Sequence, residues 1–271
     1  MLEALRLDGR AAIVTGAGRG LGKAMAIALA KAGAAVVCAA RTQSQIDETV
    51  DEILSLDGTA TAVSTDVTCS EQVDALVASC AASFGRIDIM LANAGAGTSH
   101  TPFWEYTDEE FELALALNLK STFYCGRAAA RAMIAGKHGG SIINVSSLSA
   151  YRANPIFAYP TAKGGVLALG KSQAKILSPY GIRVNTIVPG LVPQSAPRDD
   201  VEADHRRRIG GRMAVGRVGE CWELGPLAVY LASDASSYVT GANFIIDGGD
   251  LAGGIAPSYF EPYSDLEGGT A

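Results

Sequence analysis

Thr15 to Gly22 reads TGAGRGLG; it follows an apolar run, Ala11 to Thr15, and leads into KAMAIALAKAG, whose apolar residues recur as on one helix. Glycines at a strand-to-helix turn let the backbone come close to a pyrophosphate, whose charge then meets free N–H groups and the positive end of the helix. A tight structural turn would account for one glycine pair, but strand, loop and helix occur here in order, which marks a dinucleotide site. The spacing is Gly16-x-x-x-Gly20-x-Gly22, not the GxGxxG of most such loops.

Working outward, short β-branched or apolar runs keep alternating with longer helical patterns, the sequence form of a parallel sheet covered on both faces. The expected strands are Ala11 to Thr15, Ala34 to Ala39, Thr59 to Val63, Ile87 to Asn93, Ser141 to Val145, Ile182 to Val188 and Ala242 to Ile246. One helix between them opens at Thr107 to Glu110, TDEE, a capping box ahead of an apolar repeat. An open doubly wound sheet and a closed eight-stranded barrel both fit the alternation, and the glycine loop decides for the open sheet. The expectation is a three-layer α/β/α, Rossmann-type fold of about seven strands, with one domain over residues 1–271 and its core at about 7–249. Leu191 to Gly219 and the tail after Asp247 are less regular, and read as segments that cover substrate or meet a neighbouring subunit.

The apolar residues, 48 % of the chain, are spread along its whole length, and with a net charge of −6 this is neither a disordered nor a nucleic-acid-binding composition. Arg206 to Arg208 is answered by Asp199, Asp200, Glu202 and Asp204, as on a solvated helix face. No stretch approaches the roughly 18 to 20 apolar residues of a membrane span, and MLEALRLDGR carries acids where a signal peptide would be basic and then apolar. The expected location is the cytoplasm. The five cysteines include no CxxC pair and the three histidines stand apart, so reduced thiols and no metal are expected.

The chain resembles the compact branch of the short-chain dehydrogenase/reductase family over about Leu7 to Gly249. The likeness rests on ordered motifs: TGAGRGLG, TDV at Asp66, NAG at Asn93 to Gly95, Asn118 in LNLKS, NVSS at Asn144 to Ser147, YPTAK at Tyr159, and VPG at Val188 to Gly190. Carried over by position, it implies that Gly16, Gly20 and Leu21 line the pyrophosphate. It further implies that Asp66 and Val67 flank the adenine, that Asn93, Ala94 and Gly95 pack beside the cofactor, and that Pro189, Gly190 and the backbone at Val192 border the nicotinamide. Tyr159 is then the acid/base. Lys163 binds the nicotinamide ribose beside it and lowers its pKa, while Asn118 helps hold a water linking Lys163 to solvent. A serine orients the substrate oxygen: counting thirteen residues back from the tyrosine gives Ser146, whereas matching the NVSS strand end gives Ser147, which is the assignment adopted. Where the family usually has a threonine touching the carboxamide, Gln194 and then Ser195 follow the sixth strand, and the contacting residue stays open.

An NAD site usually ends its second strand with an acid that binds the ribose hydroxyls. Here VVCAAR puts Ala40 at that place. Arg41 next to it and Arg19 in the glycine loop form a cationic bracket suited to a 2′-phosphate, so NADP(H) is favoured over NAD(H).

Moving a hydride between a nicotinamide and a carbonyl carbon requires a proton at the oxygen, because an unassisted alkoxide is too high in energy. Bringing a phenol from its pKa of about 10 to about 7 takes about 4 kcal/mol. A lysine ammonium about 4 Å away, at an effective dielectric of about 20, supplies about that much. Tyr159 and Lys163, four apart on a helix, share a face, and Thr161, Ala162, Gly164 and Gly165 leave room for a cofactor.

The expected substrate is a small or medium carbonyl compound or alcohol, with Trp104, Tyr151 and Phe157 as an apolar pocket wall. A 3-oxoacyl carrier-protein reductase is the alternative within the enzyme class. A non-catalytic dinucleotide sensor is the alternative outside it, and would be expected to lack one of the tyrosine, lysine and serine. The family resemblance implies a homo-oligomer, dimer or tetramer, meeting through the helices around Phe111 to Met133 and Tyr159 to Ser178. The tail aromatics Tyr259, Phe260 and Tyr263 are expected to order against a neighbour.

Overall fold

Every residue of Ala11–Thr15 is buried, as befits a strand covered on both faces. In the computed structural model, which describes residues 2–253, this segment is β1 of a seven-stranded sheet. The others are β2 (Ala35–Ala40), β3 (Thr59–Ser64), β4 (Ile89–Ala92), β5 (Gly140–Val145), β6 (Ile182–Pro189) and β7 (Asn243–Ile246). Their order is β3-β2-β1-β4-β5-β6-β7, and every pairing is parallel. Each expected strand is present, with ends moved by one or two residues. The strand β4 ends before Asn93, which leaves the ladder to donate from Nδ2 to the carbonyl of Thr15 at 3.0 Å.

Alternate residues of β1 face opposite cores, the period-two signature of a strand. Val14 joins Val36, Leu91, Met25, Leu29 and Leu231, under helices α1 (Gly20–Lys31) and α2 (Gln43–Ser55). Ile13 joins Val37, Met90, Leu76 and Met133, under α3 (Ser70–Phe84) and, beyond α4 (Asp108–Leu115), α5 (Ser121–Gly136). These are the three layers. Farther along lie α6 (Ala158–Leu177), α7 (Asp200–Gly210) and α8 (Gly225–Ala232), the last packing on α1.

The TDEE box forms as expected: Thr107 accepts from the Glu110 N–H at 3.2 Å, and Glu110 accepts from the Thr107 N–H at 3.0 Å. Arg207 and Arg208 of α7 pair with Asp204 on the exposed side, whereas Arg206 is partly covered, pairing with Glu202 and donating to the Ser195 carbonyl at 2.7 Å. Cys38, Cys80 and Cys125 are buried free thiols, each pushed up to about 12 chiefly by desolvation. Among the described residues no helix is long and apolar enough to cross a membrane. Tyr259, Phe260 and Tyr263 lie outside the described residues.

The strand order reverses between β1 and β4, since β1 leads to β2 on one side and β4 to β5 on the other. In open α/β sheets that reversal opens a crevice at the carboxyl ends of the strands.

Candidate active site

At the end of β1 the chain turns through Gly16 (φ 68) and Gly20 (φ 57), left-handed conformations that favour glycine. Gly22 needs its missing side chain for another reason: a Cβ there would lie 2.1 Å from the Gly16 carbonyl oxygen and 2.5 Å from Asn93 Nδ2. The Thr15 hydroxyl accepts from the N–H groups of Asn93 and Ala94 at 3.1 and 3.2 Å, so the ends of β1 and β4 form one frame.

Above this frame is a cleft of about 290 Å³. Gly16, Arg19, Arg41, Asp66, Val67, Asn93, Ala94 and Gly95, all singled out by sequence, line it. Asp66 is fixed by Thr68, whose hydroxyl donates to Oδ1 at 2.7 Å and whose N–H donates at 2.9 Å; these bonds hold the carboxyl below its usual range. Not lining it are Gly20, Leu21, Pro189, Gly190, Val192, Tyr159 and Lys163. Gly20 is covered by Gln194, which itself lines the cleft and whose Oε1 would lie 2.6 Å from a Cβ on Gly20. Gly190 and Val192 border a smaller cavity of about 100 Å³ behind the loop after β6. Sequence reasoning missed Thr42 and Gln45, which line the cleft from the start of α2. Their signal was present in RTQSQ, where a threonine directly after Arg41 marks a helix N-cap.

Beside the cleft, Asn118 sits fully buried in a π-helical turn, Ala116–Lys120, between α4 and α5. Its Oδ1 accepts from the Ala96 N–H and its Nδ2 donates to the Ala114 carbonyl, both at 3.1 Å. Gly95 separates Asn118 from Lys163: a Cβ there would lie 2.8 Å from Asn118 Oδ1 and 3.1 Å from Lys163 Nζ. Lys163 is 3 % exposed and donates from Nζ to the Val145 carbonyl at 3.0 Å. Burial pushes its ammonium down to about 8.

The two serines after β5 diverge. Ser146 is buried, and its hydroxyl donates to the Lys163 carbonyl at 2.7 Å. Ser147 turns toward Tyr159 and caps the 3₁₀ turn Leu148–Tyr151, its Oγ accepting from the Ser149 N–H at 3.1 Å.

Tyr159 corrects the sequence arithmetic. Burial raises its phenol above the ordinary value, and the neighbouring Ser147 hydroxyl offsets only part of that. Lys163 Nζ lies 5.8 Å from the centroid of the tyrosine ring, near the outer limit of a cation–π contact. Burial is therefore the larger influence on the phenol and holds its pKa above the ordinary value.

The expected apolar wall also needs correction. Trp104 is 82 % exposed. Tyr151 accepts a hydrogen bond from Asn243 at 3.2 Å, and Phe157 is gripped by Phe103 and Tyr106 at 4.9 and 4.8 Å between ring centroids. Aromatic residues before a helix start can pack on each other as readily as on a ligand, and spacing alone does not separate the two.

A parallel sheet that opens beside a glycine loop at its reversal point defines an α/β protein of the dinucleotide-binding class. The family model described as Enoyl-(Acyl carrier protein) reductase matches residues 16–250. An L-rhamnose 1-dehydrogenase (NAD(P)(+)) of Azotobacter vinelandii is 38 % identical over 252 residues, covering 89 % of this chain and 96 % of the relative. A (5R,7aS)-5-hydroxy-7a-methyl-1-oxo-2,3,5,6,7,7a-hexahydro-1H-indene-carboxyl-CoA reductase of Mycobacterium tuberculosis is 37 % identical over 238 residues, covering 87 % and 90 %. The crystal structure of a short-chain type dehydrogenase/reductase from Mycobacterium marinum superposes with a TM-score of 0.87 at 36 % identity, covering 93 % of this chain and 99 % of that one. The chain belongs to the short-chain dehydrogenase/reductase family of oxidoreductases, whose members use NAD(P) nucleotides.

Proposed function

We propose that the protein is a carbonyl reductase or alcohol dehydrogenase that prefers NADP(H) and acts on a small or medium carbonyl compound or secondary alcohol. The observation that carries this reading is the meeting of a half-buried Tyr159 with Ser147 and the buried Lys163 beside the glycine-lined cleft.

The cleft fits a dinucleotide, because Gly16, Gly18 and Gly95 line it without side chains and Arg19 and Arg41 bring positive charge. When bound, the nicotinamide supplies or accepts the hydride. Gly16, Gly20 and Leu21 hold the pyrophosphate at the start of α1. Asp66 and Val67 flank the adenine, and Asn93, Ala94, Pro189, Gly190 and Val192 shape the nicotinamide end. In the reducing direction Tyr159 gives its proton to the substrate oxygen as negative charge develops there, and Ser147 donates a second hydrogen bond to the same atom. Lys163 holds the ribose, and its charge favours the phenolate left behind; Asn118 links it toward water. The phenol's raised pKa suits a proton donor at neutral pH.

The preference for NADP(H) is supported by Ala40 in place of an acid, by Arg19 and Arg41, and by Thr42 and Gln45 at the N-terminus of α2, which add hydrogen-bonding groups for a 2′-phosphate. Residues 7–249 then act as one cofactor-binding and catalytic unit. Exposed Leu113, Phe123 and Ile176 on α4, α5 and α6 support a homo-oligomer, dimer or tetramer, and the same reading puts the enzyme in the cytoplasm.

The test is turnover with NADPH and with NADH across ketones, sugars, 3-oxoacyl thioesters and secondary alcohols. Higher kcat/KM with NADPH is expected, and Tyr159→Phe should lower kcat by about 10²- to 10⁴-fold without unfolding the protein. Near-full activity of Tyr159→Phe would exclude the mechanism; a marked preference for 3-oxoacyl thioesters would favour the carrier-protein reductase instead.

A further inference from the structure

The segment between Ser147 and Tyr159 is held at both ends by contacts from distant parts of the chain. Near Tyr159, Phe157 is gripped by the aromatic side chains of the β4–α4 connection. Near Ser147, Arg152 leaves the 3₁₀ turn in an extended conformation, and its two terminal nitrogens donate to the two carboxylate oxygens of Asp250, one of them at 3.1 Å. Next to it, Asn243 of β7 donates to the Tyr151 hydroxyl at 3.2 Å.

The turn that carries Asp250 is itself well connected. Asp247 accepts from the N–H groups of Gly249 and Leu251 at 2.8 and 2.7 Å. Gly190 packs so closely on it that a Cβ would lie 2.6 Å from the Asp247 Cα, and the Val215 N–H donates to the Gly248 carbonyl at 3.1 Å. Isolated surface ion pairs contribute little. Arg6–Asp8, two residues apart, joins nothing else, but Arg152–Asp250 spans 98 residues and joins two loops at the carboxyl edge of the sheet. A planar, two-pronged pair fixes orientation as well as distance.

We infer that Arg152 is a positioning residue: paired with Asp250, it fastens the Ser147–Tyr159 segment to the turn that also braces Gly190, so that the substrate-side and cofactor-side loops share one anchor. The inference rests on the proposed roles of Ser147 and Tyr159. It adds a residue that the family motifs quoted above do not include.

The test compares the wild type with Arg152→Met, Asp250→Asn and the reversed pair Arg152→Asp/Asp250→Arg, measuring kcat and KM for a carbonyl substrate at saturating cofactor. Each single variant should lower kcat by about tenfold or more, leaving cofactor affinity and thermal midpoint near wild type, and the reversed pair should recover most of the loss. Wild-type kcat in both single variants overturns the inference, as does a reversed pair no better than the worse single. Should the reversed pair not fold, Arg152→Lys takes its place: kcat between wild type and Arg152→Met supports the tether, and kcat equal to Arg152→Met overturns it. Hydrogen exchange over residues 148–157 reads the tether without turnover. Faster exchange in the single variants is expected, and unchanged exchange overturns the inference even if the functional reading fails separately.

Discussion

Ser146 and Lys163 are bound to each other through the backbone of α6: the serine hydroxyl donates to the lysine carbonyl at 2.7 Å, while the lysine ammonium reaches back to Val145 on β5 at 3.0 Å. The pair locks α6 against the strand that leads into the two serines, and it occupies the Ser146 hydroxyl.

The two serines should therefore separate cleanly on substitution. Ser147→Ala is expected to lower kcat by about 10²- to 10³-fold, the usual effect of removing one donor at a developing oxyanion. Ser146→Ala should keep kcat near wild type and lose about 1 kcal/mol of stability with its hydrogen bond. Turnover and denaturant unfolding of both variants check this, and the opposite pattern would move the substrate contact to Ser146.

Lys163 should make stability depend on pH in a defined window. Its folded value of about 8 lies below the ordinary 10.5, so between those values the unfolded chain holds a proton that the folded protein has released. Stability contributed by this group must then rise with pH across the window, and the cost of burying the ammonium is borne in full below it. The gap corresponds to about 3 kcal/mol. Cys38, Cys80 and Cys125 act oppositely at high pH because burial pushes their thiols up to about 12, so the quantity to measure is wild type minus Lys163→Met. That difference in unfolding free energy should grow between about pH 8 and pH 10.5; a flat difference would contradict a buried ammonium.

Arg41 should matter for one cofactor only. Arg41→Ala is expected to reduce kcat/KM for NADPH by about tenfold to a hundredfold, the range for a charge-assisted bond, with little change for NADH. Ala40→Asp should push the preference further toward NADH by placing a like charge against the 2′-phosphate. Equal losses with both cofactors would assign Arg41 a structural role.

Gly22 and Gly164 make a contrasting pair. Gly22→Ala drives a methyl into the Gly16 carbonyl and should cost about 1 to 3 kcal/mol together with dinucleotide affinity. Gly164 has nothing within 4 Å of a Cβ, so Gly164→Ala should be neutral or stabilise α6 by up to about 1 kcal/mol. Thermal midpoints and cofactor titration of the two variants would show the difference.

The strands were legible because a parallel strand covered on both faces reads as a short, mostly apolar run, and Ala11–Thr15, apolar up to Val14, is buried at all five positions. The glycine loop was legible because its spacing is a backbone requirement. Side-chain direction was not legible: Ser146 and Ser147 are adjacent in sequence, and only the hydrogen bond to Lys163 shows which one is turned inward. The balance at Tyr159 was also hidden, since a pairwise estimate at fixed distance omits desolvation of both groups. Trp104, Tyr151 and Phe157 were grouped by residue type, whereas Trp104 faces solvent, Tyr151 meets Asn243 and Phe157 meets Phe103 and Tyr106.

The π-helical turn at Ala116–Lys120 gives this region an unusual tolerance profile. A π turn holds one residue more between hydrogen-bonded partners than an α-helix does. Deleting one residue other than Asn118 there would let α4 and α5 join as one regular α-helix and shift the remaining residues of the wide turn against both. Asn118 would then leave its buried place beside Gly95, with its own identity unchanged. Within these five positions, length is under tighter constraint than composition, and a deletion scan would see the site where a substitution scan at most of them would not.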